Sequence, residues 1–396
     1  MNAGFSPDTS ACEECGRCLA RCRYLGLSRQ QAVAEIRLIN RGLASVAVDR
    51  CRGCYACNAF CEKGLFPYER ILAAWEKRHE ARGLPARTRY LLPLSRPNFR
   101  QDLAYAPAER ALHAQWATDT PPADTVLYPG CNLLALPLLA TGKIFDELPV
   151  WGKWEQCCGE MYFRMGLFSQ VRRIGERLAA YYRDRPVGRM VFMCPAGFNM
   201  FSRVYPEKFG IRFPFEMEPF SRWALRALDE GRLAVTRPLE ETVVLHDSCH
   251  ARILGDGFME EQRQLLRRLS VEVLETRHNK ADGLCCGMAA GANTQSGPWM
   301  ISATLRRLDE LNGAGAPAIA AYCAGCFHTF LTVRPLRPGS KPVVHTLELL
   351  RRALGEDVDA GAGRRARQIV LGVAARSVPR YLDPRRFLLG SPPAVR

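Results

Sequence analysis

Cysteine carries the chemistry open to this chain: 17 of its 396 residues are Cys, most of them in tight groups. Cys12, Cys15, Cys18 and Cys22 follow the spacing C-x2-C-x2-C-x3-C, and Cys51, Cys54, Cys57 and Cys61 repeat it. Further on, Cys249 is followed by Cys285-Cys286-Gly287 and Cys323-Ala324-Gly325-Cys326. A shorter, related set comprises Cys131, Cys157-Cys158-Gly159 and Cys194. Grouped thiolates are soft ligands that select iron–sulfur or zinc. Zinc sites use two separated C-x2-C pairs, so the first two runs read as iron–sulfur. An odd cysteine count in a long chain does not fit a disulfide framework, which points to a reducing compartment. Adjacent cysteines cannot both serve one corner of a simple cube without strain. They suit a site in which each thiolate meets a different iron.

The first two runs resemble the ligand pattern of two-cluster bacterial ferredoxins. Three thiolates two residues apart wrap one cube in a tight turn, and the fourth, after a wider gap, reaches the other cube. On this reading Cys12, Cys15, Cys18 and Cys61 hold one [4Fe-4S] cluster, and Cys51, Cys54, Cys57 and Cys22 hold a second. Gly16 and Gly53 let the backbone approach and aim N–H groups at sulfur. Two departures stand out: Arg23 and Glu62 replace the proline that follows the fourth cysteine, and the gap from Cys22 to Cys51 is long. Val33, Ile36, Ile39 and Leu43 in that gap form a helical stripe. The unit therefore looks like the mostly helical ferredoxin of multi-subunit reductases.

The later cysteines resemble the CCG (cysteine-rich) domain of heterodisulfide reductase and its relatives, among them iron–sulfur subunits of anaerobic glycerol-3-phosphate dehydrogenase, of lactate-utilisation systems and of the sulfite-reduction-linked membrane complex. In heterodisulfide reductase a complete motif binds a non-cubane [4Fe-4S] cluster that reduces a disulfide by direct sulfur–iron contact. The resemblance implies Cys249, Cys285, Cys286, Cys323 and Cys326 as ligands of such a cluster, and disulfide/thiol redox chemistry at it. The first motif departs from the pattern. Cys131, Cys157, Cys158 and Cys194 are present, but the last cysteine is replaced in Cys194-Pro195-Ala196-Gly197, and 25 residues rather than 35 separate its first two members. A simpler cluster, zinc or buried free thiols remain open there. His246, Asp247 and His250 surround Cys249. A protonated histidine there could donate to a leaving thiolate, although capping a turn or orienting a ligand is the commoner role. His328 is read in the same way, and Asn132 and Asn199 as turn residues.

The elements that must position these groups alternate. Short apolar strands are expected at Val126–Tyr128, Met190–Met193, Val243–His246, Val271–Leu274, Ile319–Tyr322 and Val343–His345. Helical spacing recurs in Val171, Ile174, Leu178 and Tyr181, and in Ile301, Leu305, Leu308 and Leu311. This argues an α/β fold with largely parallel sheets. The cysteine landmarks repeat at offsets of 118, 128 and 129 residues, as expected of a duplicated unit. The expected organisation is a helical 2[4Fe-4S] ferredoxin unit over 1–77, a proline-rich linker or arm over 78–124, a first CCG domain with an incomplete motif over 125–235, a second with the complete motif over 240–354, and a basic tail over 355–396.

Lys and Arg total 55 against 40 acidic residues, a formal charge of +15. No basic run interleaved with aromatics accompanies it, so nucleic acid is not the expected partner. Part of the excess offsets the negative charge of thiolate-ligated clusters. The tail over 363–396, with eight arginines and one aspartate, reads as solvated or as a docking segment for anionic lipid, and Ile369, Val370 and Val373 in it suit a short amphipathic helix. Met1–Ser10 lack a leader's basic region and apolar core, and no long apolar run appears, so a cytoplasmic protein is expected, with a peripheral place on the inner membrane face left open. The function implied is an iron–sulfur oxidoreductase subunit. Its redox partners would be a membrane cytochrome b-type or a flavin-containing dehydrogenase subunit, and its substrate a disulfide or thiol. The rival is a pure electron relay between a dehydrogenase and membrane quinone.

Overall fold

The computed structural model describes residues 10–395 apart from residues 97, 101, 102, 104, 295, 359 and 360, and omits some side chains in 292–294 and 362–381. The residues read for a leader, 1–9, and the Val370 and Val373 side chains lie outside the described part.

The N-terminal part is helical. Ser28 opens the helix Arg29–Asn40 with a capping box: its Oγ accepts from the Gln31 N–H at 3.2 Å, and Gln31 Oε1 accepts from the Ser28 N–H at 2.8 Å. This helix buries Ala32, Ile36 and Ile39. Leu43, expected on the same stripe, lies beyond its end and is 54% exposed. The first cysteine loop packs directly on the helix. Gly16 has φ 70°, and a Cβ there would sit 2.6 Å from the Val33 nitrogen, so only glycine fits. The helix Pro67–Arg82 closes the unit from the other side, burying Tyr68, Ile71, Leu72 and Trp75, and Trp75 Nε1 donates to the Val48 carbonyl at 3.0 Å.

Two parallel sheets follow. The first comprises β1 (Thr125–Tyr128), β2 (Arg189–Phe192) and β3 (Glu216–Pro219) in the order β1-β2-β3, with a parallel bridge from Leu127 to Val150 on the far side of β1. The second comprises β4 (Glu241–His246), β5 (Val271–Leu274), β6 (Ala318–Ala321) and β7 (Val343–His345) in the order β5-β4-β6-β7. Parallel neighbours need crossovers, supplied by helices such as Phe168–Arg183, Asp256–Arg268 and Gly297–Gly313. Val171, Ile174, Leu178 and Tyr181 all face the core, whereas Ala303, Thr304, Arg307, Leu308 and Leu311 form the buried face of the last helix, leaving Ile301 and Leu305 half-buried. Ligand-bearing loops leave the carboxyl ends of β1, β2, β4 and β6, where open α/β sheets gather their sites.

Three expectations change. The strand β3, Glu-Met-Glu-Pro, was not anticipated; it is a polar edge strand, and its proline is tolerated at an edge. The stretch 78–124 is not a loose arm. The helix from Pro67 runs on to Arg82, two more helices span Ala86–Leu91 and Pro107–Trp116, and Tyr90, Leu92, Leu94 and Trp116 are buried. The basic tail is also tied down. It contains the helix Gly361–Leu382, whose Ile369 is buried and whose Arg365 pairs with buried Glu109 at 3.2 Å. Arg386–Phe387 then pairs antiparallel with Leu84–Pro85, and Gln170 donates to the Leu389 carbonyl at 3.2 Å. Among the described residues no helix is long and apolar enough to cross a membrane.

Candidate metal centre

The N-terminal cysteines gather in two groups. Cys12, Cys15, Cys18 and Cys61 line one pocket. Burial, then the neighbouring Cys61 and Cys12, push the Cys18 thiol up to about 12. Arg70 Nη1 donates to Cys12 Sγ at 2.9 Å and Asn40 Nδ2 at 3.8 Å. The second group is Cys22, Cys51, Cys54 and Cys57. Burial, then Cys54, push Cys22 up to about 11, while Cys51 is raised by burial against the pull of the Gly53 N–H, which donates to its sulfur at 3.4 Å. The fourth cysteine of each run thus sits with the first three of the other. Crowded thiols that raise one another's pKa, with N–H donors aimed at sulfur, fit a polynuclear iron–sulfur centre that delivers compensating cations.

At the carboxyl end of β4, sulfur contacts run unbroken from Cys249 to Cys285, Cys286, Cys326 and Cys323. Cys286 is held down to about 5 by the flanking Cys285 and Cys326 thiols. The Gly287 N–H donates to Cys285 Sγ at 3.5 Å. Gly287 has φ 98°, and a Cβ there would stand 2.7 Å from the Met300 carbonyl oxygen, so this turn too requires glycine. Five thiols and two backbone or guanidinium donors suit iron–sulfur again. A ring nitrogen of His246 lies within 4.8 Å of the Cys286 and Cys326 sulfurs. Arg307 Nε donates to His246 Nδ1 at 3.1 Å, which puts the ring proton on Nε2. Burial, reinforced by Arg307, holds the His246 pKa well below its ordinary value, so the ring is neutral rather than a protonated acid. Asp247 is structural: Arg263 grips both its oxygens at 3.1 and 2.8 Å, and Tyr322 donates to it at 3.0 Å. His328 lies inside the helix Ala324–Val333, half-buried and pushed down to about 4 by desolvation.

The shorter cysteine set faces this loop across a shared cavity of about 60 Å³. Cys131 contacts Cys157, which contacts Cys158, while Cys194 reaches across to Cys323. Asn132 and Asn199 are helical rather than turn residues, in Gly130–Leu134 and Pro195–Asn199. At Gly197, where the other set has Cys326, a side chain would fit tightly. A Cβ there would be 3.2 Å from Tyr128 Cε1 and 3.4 Å from Phe192 Cδ1.

Residues 243–331 match the family described as Cysteine-rich domain, CCG. That stretch is a CCG domain. The chain is similar to a subunit of the dihydromethanophenazine:CoB–CoM heterodisulfide reductase of Methanosarcina barkeri, 23% identical over 247 residues, covering 59% of this chain and 59% of the relative. It also resembles the probable iron-sulfur-binding oxidoreductase FadF of Bacillus subtilis (25% over 182 residues; 45% of this chain, 24% of the relative). A third relative is the EtfAB:quinone oxidoreductase of Syntrophomonas wolfei (26% over 142 residues; 35% and 19%). In each case the match spans less than two thirds of the relative's length.

Sequence reasoning missed the residues that join the CCG domain to the rest. Glu160 and Arg164, on the helix directly after Cys157-Cys158-Gly159, form a buried pair at 2.6 Å. Glu160 Oε1 also accepts from Tyr55 OH at 3.1 Å and lies 2.9 Å from His250 Nε2. Arg164 donates to the Gly53 carbonyl and, at 3.4 Å, to Cys249 Sγ. Arg252 donates to the Cys54 carbonyl at 2.7 Å and to the Gly283 carbonyl. Cys54 in turn lies close enough to raise the Cys285 thiol, and Tyr24 lies within reach of both sulfurs. The only local signal was the i, i+4 spacing of Glu160 and Arg164 beside the motif.

Proposed function

We propose that this chain is an iron–sulfur oxidoreductase subunit that passes electrons through two [4Fe-4S] cubanes to a non-cubane cluster in its CCG domain, where disulfide/thiol redox chemistry takes place. The cubane ligands would be Cys12, Cys15, Cys18 and Cys61, and Cys51, Cys54, Cys57 and Cys22; the third centre would take Cys249, Cys285, Cys286, Cys323 and Cys326. A helical ferredoxin unit and two copies of one α/β unit, the second being the CCG domain, complete the reading. The like strand orders of the two sheets, with Val150 beside β1 as β5 lies beside β4, support that duplication. The observation that carries the function is that Cys54 lies near enough to Cys285 to raise its thiol, with buried Arg252 donating both to the Cys54 carbonyl and to the Gly283 carbonyl beside the second thiol set.

When bound, an iron–sulfur centre in the CCG domain supplies single-electron exchange and an iron that an outside sulfur can reach. The chain's own groups do the rest. Arg164 offsets negative charge at Cys249, the Gly287 N–H does so at Cys285, and buried neutral His246 keeps its N–H for the Cys286–Cys326 side. The relative named heterodisulfide reductase supports a disulfide substrate. A relay without its own substrate is the second reading, favoured by the similarity to an EtfAB:quinone oxidoreductase. Anaerobically prepared full-length protein should carry roughly 12 iron atoms. Adding a thiol to the oxidised protein should create a new electron paramagnetic resonance signal. An unchanged spectrum would establish the relay, and a colourless, zinc-containing protein would defeat both readings.

A further inference from the structure

The incomplete motif has kept four thiols but has glycine, tightly flanked by Tyr128 and Phe192, in place of a fifth, and those thiols open onto the cavity that the CCG domain lines. We propose that Cys131 and Cys157 form a resident redox dithiol that works with the CCG domain on low-molecular-weight disulfides, in the position where a second cluster would otherwise sit. The inference rests on the iron–sulfur reading above. Its basis is geometric. Cys131 and Cys157 are in direct sulfur contact, and Cys131 is the half-buried member and so the one an incoming disulfide meets first. The Cys157 contact and burial push the Cys131 thiol well up, and Arg100, which donates to Asn132 Oδ1 at 3.4 Å, supplies the opposing positive charge beside it. Tyr128 and Phe192 crowd the Gly197 position. Cys194, near enough to Cys131 to feel its charge, touches Cys323, so sulfur lies on the way from the dithiol to the CCG domain. Both thiols line the cavity shared with the CCG domain, which gives an incoming sulfur a place beside Cys131.

The step balances as thiol–disulfide exchange. The Cys131 thiolate attacks one sulfur of R–S–S–R and expels a thiolate. Cys157 then attacks the Cys131–R mixed disulfide, expelling the second. Two protons from the cysteines pass to the two product thiols, leaving a Cys131–Cys157 disulfide. Two electrons delivered singly from the CCG side, with two protons, restore the dithiol.

Differential alkylation and peptide mapping of the iron-loaded full chain tests this. After treatment with a small disulfide, a linked Cys131–Cys157 peptide should appear and two fewer thiols should alkylate; dithionite should restore both, with iron unchanged at roughly 12 atoms. Cys131→Ser should abolish the linked peptide while preserving iron content, and should that variant not fold, the wild-type map decides alone. A linkage between other cysteines, identical maps in both states, or metal lost selectively from Cys131→Ser would overturn the dithiol. Low iron content together with the linked peptide would instead count against the cluster reading.

Discussion

The loops after β1 and β4 present the same approach to sulfur with opposite consequences. Tyr128 ends β1 where His246 ends β4, 118 residues later; Phe192 ends β2 where Ala321 ends β6; and Gly197 stands where Cys326 stands, both 129 residues apart. In the CCG domain the small Ala321 and the polar His246 leave thiol-lined space. In the other loop Tyr128, whose hydroxyl donates to the Gln156 carbonyl at 2.6 Å, packs against Phe192 with ring centroids 5.2 Å apart and crowds the place of the fifth thiol, while the four thiols present still line a cavity. Capacity for a large centre therefore depends on the residues opposite the cysteines as much as on the cysteines. One loop has exchanged ligand space for core packing.

The largest effect should come from the CCG side. Cys286→Ser should remove one centre entirely, dropping iron from roughly 12 to about 8 atoms and abolishing one spectrum while sparing the other two. Cys158→Ser, its counterpart in the crowded loop, should leave iron and all signals intact. Loss of iron from both variants would erase the distinction drawn between the loops.

The two loops also depend on each other through the buried Glu160–Arg164 pair. Arg164→Ala leaves Glu160 buried with its principal cation gone, at a cost of about 3–5 kcal/mol, read as a lowered unfolding midpoint of the loaded protein. Arg164→Met combined with Glu160→Leu should recover most of that loss. If Arg164→Ala were neutral, the shorter loop would not be supporting the CCG domain.

How much of this could be read beforehand differs by scale. The α/β class was legible because Val271–Leu274 and Val343–His345 are short apolar runs in an alternating pattern. The polar β3 carried no such signal. The stretch 78–124 misled because its prolines read as a linker and Tyr90, Leu92, Leu94 and Trp116 follow no helical period; they are buried by tertiary packing against surfaces that local sequence does not describe. Cysteine spacing announced metal chemistry. It did not announce that Cys194 would turn toward Cys323, nor that Tyr55, Glu160, Arg164 and His250, drawn from three distant segments, would meet around one carboxylate.

Packing can be tested by rebuilding the missing ligand. Gly197→Cys alone should add no iron and should destabilise by about 1–3 kcal/mol, because the new side chain meets Tyr128 and Phe192. Adding Tyr128→His and Phe192→Ala should relieve that penalty and raise iron content above that of the natural chain. Iron gained by Gly197→Cys on its own would show that the aromatics do not decide the matter.

The smallest effect should fall on the group that most distinguishes the CCG loop in kind, His246. Its Nδ1 accepts from Arg307, which Glu310 Oε2 holds at 2.7 Å, so the neutral ring has one proton left, on Nε2, and no hydrogen-bond partner for it among the described residues. With a ring nitrogen within 4.8 Å of the Cys286 and Cys326 sulfurs and the proton on Nε2, the ring is placed to offer an N–H to a sulfur-bound centre rather than to ligate it, because a ligating nitrogen must offer a lone pair. His246→Gln preserves both an acceptor for Arg307 and an N–H donor, and should change the line shape of the third centre's signal while leaving iron content untouched. A fall of about four iron atoms would instead make His246 a ligand, and the contrast between the two loops would then lie in their donor atoms as well as in the space around them.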